Sequence, residues 1–446
     1  MRPLLVLALC LGPNAYALTR KAAVLRNTRI TSTLVDTLAL NTQGMQFSSL
    51  QGKALQPKDF PTLQQVKNAL PVEIFNKNTP LALAYAGLDV STVAACLLFS
   101  GKVLLPVAQG LLLAPSMGSN LALAVLYAAY SVVTGTCAIG SWVTAHECGH
   151  GAFSDNRRLQ DVVGFVFHSA LLVPYYAWQR SHAVHHANTN HITDGETHVP
   201  PILDAISKKR ELQNAVGAPL GNFIYGAVQT LLHLGAGWPA YLLTGATGGT
   251  SRGYTNHFVP LQLPMTESQR KTGMKNLWPK GMHSKMALGN LGVLGMLLGL
   301  SFLASKYTFP LVFAAYMGPY SVVNAWLVAY TWLQHTEVDI PHLPAEGYTF
   351  MKGAFHTVDR PYEALAFGLV NFLHHDIGTT HVLHHIDPTI PHYNARLGTE
   401  ALKGAFPAQY LYESTPIFQA LWRLATMCYG VEKRTRNQED IYVFVD

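Results

Sequence analysis

The chain has 446 residues, 49% hydrophobic and only 13% charged, against roughly 25% charged in soluble domains; a set of purely water-exposed domains is excluded. The net charge of +6 is modest, and no run of Lys and Arg offers the dense basic face that nucleic acid requires. Five cysteines (Cys10, Cys96, Cys137, Cys148, Cys428) lie far apart without CxxC pairs, which argues against a disulfide scaffold or a structural zinc finger.

The first residues read as an address. Met1 and Arg2 precede the apolar run Leu4–Leu11, and Ala15-Tyr16-Ala17 has the small-x-small pattern of a signal-peptidase site, so residues 1–17 form a signal-like segment. Residues 18–45 are rich in Ser and Thr, carry Arg20, Lys21, Arg26 and Arg29, and hold one acid, Asp36. That is transit-peptide composition. A signal followed by a transit peptide points to a plastid of secondary origin; an ordinary secretory signal with a polar mature N-terminus, leading to the endoplasmic reticulum, is the alternative. Residues 46–446 then form one membrane domain.

A polar entry segment, 46–79, leads to a first span at about Leu81–Phe99, which encloses Asp89. An acid at that depth is costly and suggests function, although a bundle-facing structural role explains it equally. After a link containing Lys102, a second span, about Leu121–Val143, runs directly into His146. Val162–Tyr176 is too broken to span and reads as interfacial. Phe223–Leu243 holds Gln229 and His233 and is ambiguous between a span and a re-entrant or interfacial helix. Two further spans follow, about Met286–Ala304 and Leu311–Leu333, separated only by a short link with Lys306 and Pro310.

The expected fold is therefore an all-α integral membrane protein, with four transmembrane helices in two hairpins and a histidine-rich helical cap. Two hairpins put 18–80, 144–285 and 334–446 on one side, and these segments hold almost all the Lys and Arg. The positive-inside rule places that side in the cytosol or stroma.

Chemistry concentrates on this side. His146 and His150 are four residues apart; His182, His185 and His186, and again His381, His384 and His385, repeat an HxxHH spacing. On helices each set shares a face. Imidazole is a common ligand of iron, zinc and copper. Closed zinc sites take four ligands, so eight histidines point to two metal ions. His335, at the end of the last span, is the candidate ninth ligand; its alternative is a surface or capping role. H-E-C-G-H also satisfies the zinc-peptidase motif H-E-x-x-H, with Glu147 as general base. That reading, an intramembrane metalloprotease, leaves two HxxHH clusters unexplained. A scaffold that has lost catalysis would not need intact clusters.

The stretches H-E-C-G-H-G-A-F-S-D (146–155), W-Q-R-S-H-A-V-H-H-A-N-T-N-H (178–191) and T-H-V-L-H-H-I-D-P-T-I-P-H-Y-N-A (380–395) resemble the membrane-bound acyl-lipid desaturases, and within them the methyl-end (Δ12 and ω3) group of algal type. The likeness runs from about Leu70 to Tyr412. It implies two non-haem iron ions held by His146, His150, His182, His185, His186, His335, His381, His384 and His385, with no catalytic residue beyond these ligands. It implies the O2-dependent insertion of a cis double bond into a fatty-acyl lipid within the membrane. Electrons would come from ferredoxin in a plastid or cytochrome b5 in the endoplasmic reticulum. Many plant members carry a second histidine where this chain has Gly151, a position outside the H-x-x-x-H pair.

Regioselectivity divides the signals. His374-His375-Asp376-Ile377-Gly378-Thr379 and the bulky Leu383 resemble ω3 (Δ15) enzymes acting on linoleoyl groups, whereas Gln334-His335-Thr336 and Pro391-His392-Tyr393-Asn394-Ala395 resemble Δ12 (ω6) enzymes acting on oleoyl groups. The expectation leans to ω3, with Δ12 as the alternative and related hydroxylases, conjugases and acetylenases behind both. His168, His191, His198, His342 and His392 are candidates to orient ligand rings; His375 is a candidate for that role or for the substrate side, and Asp155 and Asp376 for bonding ligand rings or for polar capping. His233, His257, His283 and His356 read as packing or surface residues.

Overall fold

The computed structural model describes residues 48–202, 208–436 and 438–445; the two address segments fall outside this range. The fold begins with α1 (Leu63–Ala69), started by a capping box between Thr62 and Gln65. Helix α2 (Thr79–Phe99) is capped by Asn78, whose side chain accepts from the Leu81 amide, with Pro80 in the first turn. The expected link after Phe99 is instead helical. A π-turn at Ser100–Leu104 carries the chain into α3 (Leu105–Leu113). Pro106 falls in the first turn of α3, where a missing N–H costs little.

Helix α4 (Met117–His150) starts at a capping box on Ser116. Its 34 residues extend about 51 Å, well beyond a hydrocarbon layer of about 30 Å. The final turns therefore stand clear of lipid, and they carry His146 and His150. Helices α5 (Arg157–Ala170) and α6 (Tyr175–Ala187) follow, then α7 (Lys208–Val216) and α8 (Ala218–Thr244). A two-residue pairing of β1 (Tyr254–Thr255) with β2 (Gln262–Leu263) precedes α9 (Glu267–Thr272). The second membrane hairpin is α10 (His283–Lys306) and α11 (Phe309–His335). Among the described residues, four helical stretches are long and apolar enough to cross a membrane: Thr79–Leu113, Met117–His150, Lys280–Lys306 and Phe309–His335. Their outer faces expose Leu98, Leu121, Leu291 and Phe302, as a lipid-facing surface requires.

The spans pack through close contacts. A Cβ at Gly135 would lie 2.6 Å from both Pro319 O and Val322 Cβ, so only glycine lets α4 and α11 approach this far. Tyr130 Oη donates to Ala315 O at 2.6 Å, and Trp326 Nε1 to Thr136 Oγ1 at 2.9 Å. Asp89 is buried as a structural link: its carboxylate accepts from Thr144 Oγ1 at 2.7 Å and lies 3.0 Å from His375 Nε2.

The C-terminal region contributes α12 (Phe350–Phe355), α13 (Leu369–Leu373), α14 (His381–Ile386), α15 (His392–Ala405) and α16 (Ile417–Met427). It closes with an antiparallel hairpin of β3 (Val431–Arg436) and β4 (Glu439–Phe444), an addition to the all-α expectation. Val66, Ile74, Phe355, Val382, Leu383 and Leu402 form the core that seats α14. A second core joins Trp142, Trp178, Val323 and Leu327 to Trp238, Tyr241 and Leu242. The ambiguous apolar segment is thus one continuous helix whose later turns pack against this core, and it is not one of the four spans. Residues 208–225 fall in a different unit from the other described residues; among them Gln213 Nε2 donates to Asn222 Oδ1 at 2.7 Å.

Candidate metal centre

The helix bearing the first histidine pair ends where it must. Gly151 takes a left-handed φ of 78° as C-cap, its N–H reaching Cys148 O, while the Ala152 N–H bonds Glu147 O at 3.0 Å. That is a Schellman-type stop, and it leaves His150 on the last turn. Gly149, a weak helix former, is explained by packing: a Cβ there would come 2.7 Å from the Trp178 ring.

Two groups of imidazoles converge. His146, His150, His182, His186 and His384 each offer a ligand atom, all within 4.8 Å of one another; His185, His335 and His385 do the same. His381 stands at the edge of the second group, its Nε2 3.0 Å from that of His335. All nine histidines singled out in the sequence are therefore brought together, from α4, α6, α11 and α14.

The contacts have the spacing of shared coordination. Nε2 of His146 is 2.9 Å from that of His182 and 3.2 Å from that of His150, and His186 Nε2 is 3.2 Å from His182 Nε2. In the second group, His185 and His335 are 3.2 Å apart at Nε2. A neutral ring nitrogen is either a donor or an acceptor, so four Nε2 atoms in a row cannot all hydrogen-bond through the same atoms. Two nitrogens each ~2.1 Å from one ion, at right angles, are about 3.0 Å apart. The buried Nε2 atoms of His384 and His385 have no hydrogen-bond partner among the described residues. This donor set fits metal ions.

Burial keeps these rings in the ligating, uncharged form. It pushes His385, His381, His182 and His186 well below the usual imidazole value, with neighbouring imidazoles adding to the effect. His185 is lowered to about 3 and His384 to about 4, again chiefly by burial.

Several supporting residues were not visible in the sequence. Thr189 Oγ1 donates to His185 O at 2.9 Å and sits 3.0 Å from His385 Nδ1, which turns His385 Nε2 toward the centre. Asp359 Oδ1 accepts from the His381 and Val382 amides at 2.6 and 3.0 Å, and Tyr410 Oη donates to its other oxygen. The next residue, Arg360, donates to Leu333 O at 2.7 Å and Thr336 O at 3.1 Å. One dipeptide thus caps the start of α14 and the end of α11. Arg360 belongs to a buried cluster: it pairs with Glu337 at 3.0 Å and with Glu413, while Arg423 pairs with both acids. His374 is also held, its Nδ1 2.7 Å from Tyr330 Oη and its Nε2 2.8 Å from Thr136 O.

Other expectations are redistributed. Glu147 is tied to His392, accepting from its backbone N–H at 2.5 Å and lying 2.7 Å from its Nδ1; it is not a free base, which removes the basis of the peptidase reading. His198 stacks on His335 at 5.2 Å, whereas His168 packs beside Trp142 and Trp178, which stack on His146 and His182. His375 contacts Asp89 and His392 rather than any of the nine rings. His191 accepts from Thr193 and Asp194 in its own loop, and His342 Nε2 lies 3.4 Å from His198 O. Neither acid orients a ligand ring: Asp155 is an exposed partner of Lys77, and Asp376 pairs with Arg396. His257 and His356 are buried and His233 stacks on Trp332, whereas His283 is exposed. Leu383 points into the hydrophobic core, where a Cβ at Gly398 would lie 2.6 Å from its Cδ2. Its bulk therefore reports core packing, not the acyl chain.

A family model for fatty acid desaturases matches residues 122–416, enclosing all nine histidines. The chain belongs to the fatty acid desaturase family. This desaturase is 34% identical to the Δ12 fatty-acid desaturase of Arabidopsis thaliana, covering 84% of this chain and 89% of that one. It is 34% identical to an endoplasmic-reticulum ω6 fatty acid desaturase of Glycine max (83% and 88%) and 33% identical to a Δ12 fatty acid desaturase of Calendula officinalis (85% and 90%). It is thus a membrane oxidoreductase acting on acyl chains, with histidine clusters able to bind metal.

Proposed function

We propose that this desaturase inserts the Δ12 (ω6) double bond into oleoyl groups of membrane lipids, using two non-haem irons held by the nine histidines. The relatives matched over most of their length are named Δ12 or ω6 enzymes, which favours the Δ12 alternative over the ω3 lean. The observation that carries the chemistry is the convergence of two imidazole groups at coordination distances. His146, His150, His182, His186 and His384 would hold one ion; His185, His335, His381 and His385 the other. Bound iron supplies the capacity to activate dioxygen and to take hydrogen from an unactivated C–H bond.

The protein's part is positioning and exclusion. Trp142 and Trp178 lie flat against His146 and His182, fixing ring orientation and keeping water from that side. Thr189 sets the tautomer of His385, and Asp359 and Arg360 hold the helix ends from which His381 and His335 project. The reaction balances when two hydrogens from the acyl chain, two electrons and two protons reduce dioxygen to two waters. The electron donor is cytochrome b5 if residues 1–17 lead to the endoplasmic reticulum, where the Glycine max relative is named, and ferredoxin if 18–45 redirect the chain to a plastid. Residues 46–446 constitute the catalytic domain, and a fluorescent fusion of the intact N-terminus decides its compartment.

Expression in yeast, followed by gas chromatography of the lipids, tests the regioselectivity. New linoleate is expected without feeding. Conversion of fed linoleate to α-linolenate, with no linoleate made, would restore ω3. A hydroxylated product would overturn desaturation itself.

A further inference from the structure

An open cavity lies where α4 ends, bounded by the starts of α5 and α10 and by α6. His150, Arg157, Gln160, Asp161, Gln179 and Lys285 line it, and of the nine histidines only His150 reaches it. Its wall is polar and built. Gln160 is only 6% exposed and its Oε1 has no hydrogen-bond partner among the described residues, while Gln179 Nε2 donates to Gly149 O at 3.1 Å. Its rim is cationic. Arg157 and Lys285 are exposed and have no ion pair among the described residues, and exposed Arg158 follows on the same turn. The lone acid, Asp161, is 3.5 Å from Tyr175 Oη.

From this we infer that the face around Arg157 and Lys285 is the docking surface for an acidic one-electron carrier protein, which delivers electrons to the centre by way of His150. The inference rests on the desaturase reading, since that reaction draws its electrons from a donor. Charge complementarity selects the partner: exposed cations around an opening where a histidine of the centre meets the polar boundary attract a carrier with an acidic face. Val162 and Val166, exposed on the same α5 helix, would rest on lipid and hold this port at the level a membrane-attached donor reaches.

The test uses the full chain in phosphatidylcholine vesicles and the double variant Arg157→Glu/Lys285→Glu. Binding of oxidised cytochrome b5 and of oxidised ferredoxin is measured on the iron-free chain, and turnover on the iron-loaded chain. At low ionic strength the variant is expected to bind the acidic donors about ten-fold or more weakly, with a flatter dependence on salt. In a single turnover, chain reduced anaerobically with photoreduced deazaflavin, a small neutral reductant, and then given dioxygen is expected to form as much product as the parent chain, which also shows that the variant is folded. Unchanged donor affinity and salt dependence would overturn the proposal. So would a variant that keeps donor affinity but loses attraction to vesicles containing anionic phospholipid, because the face would then serve lipid. Failure of the parent chain to desaturate with deazaflavin would count against the desaturase reading, separately from the docking surface.

Discussion

The two imidazole groups are built on different principles. The first, His146, His150, His182, His186 and His384, takes four members from two helices at i,i+4 spacing, and three of the five are only half-buried. The second, His185, His335 and His385 with His381 beside it, draws on three elements far apart in the chain, and every member is buried. Local helix geometry makes the first group almost automatically. The second exists only because tertiary contacts hold it: Thr189 between His185 and His385, Asp359 on α14, and Arg360 on the end of α11. Robustness should therefore differ between them, and each prediction below can break or sharpen that contrast.

The largest effect is expected from the proposed ligands. His182→Ala and His385→Ala should each abolish product detectable by gas chromatography and lower iron from two toward one per chain by elemental analysis. Activity retained in His385→Ala would remove the second group from the chemistry. Next is Arg360→Met. Stripping one partner from a buried ion cluster costs about 3–5 kcal/mol, so the melting temperature in detergent should fall and the second iron be lost before the first. Equal loss from both groups would erase the distinction. Thr189→Val should be milder, weakening iron binding at the second group by about 10–100-fold, while Thr189→Ser keeps the hydroxyl and restores it. A chelator titration followed by iron spectroscopy reads this directly.

The smallest effect concerns pH. Burial lowers His168 and His356 to about 3 and His257 and His342 to about 4, whereas the unfolded chain takes up these protons near pH 6.5. Below that point the unfolded state binds more protons, so stability is full above about 6.5 and declines as pH falls toward 4. Melting of the iron-free chain should shift downward by several degrees on acidification. His257→Gln should shrink the shift, and a pH-independent melting curve would contradict these assignments.

The membrane architecture and the histidine boxes were legible because both are periodic. Apolar runs announce spans, and helical spacing announces shared faces. Even His335 could be read, since it follows the last apolar turn directly. The supports could not. Asp359 and Arg360 sit in a loop without periodicity, and their partners Glu337, Glu413 and Tyr410, with Arg423 that pairs with both glutamates, are scattered over 87 positions, 337 to 423. The π-turn at Ser100–Leu104 was missed because Gly101 and Pro106 look like a loop until helix α3 is seen to begin just before the proline. The ω3 lean failed to find structural support for a similar reason: Leu383 and His374 carry a motif resemblance to ω3 enzymes, yet one packs into the core and the other bonds Tyr330 and Thr136.

The buried cluster of Glu337, Arg360, Glu413 and Arg423 also sets a schedule for biosynthesis. All four spans and all nine histidines leave the ribosome before Glu413 and Arg423 do. Until these arrive, Glu337 and Arg360 can pair only with each other, and half of the buried ion cluster behind the end of α11 is missing. The second histidine group therefore gains its full buried support only when the segment that carries Glu413 and Arg423 has been made. Chains that stop short of Arg423 should be recognised as unfinished and degraded rather than accumulate as partly loaded enzyme.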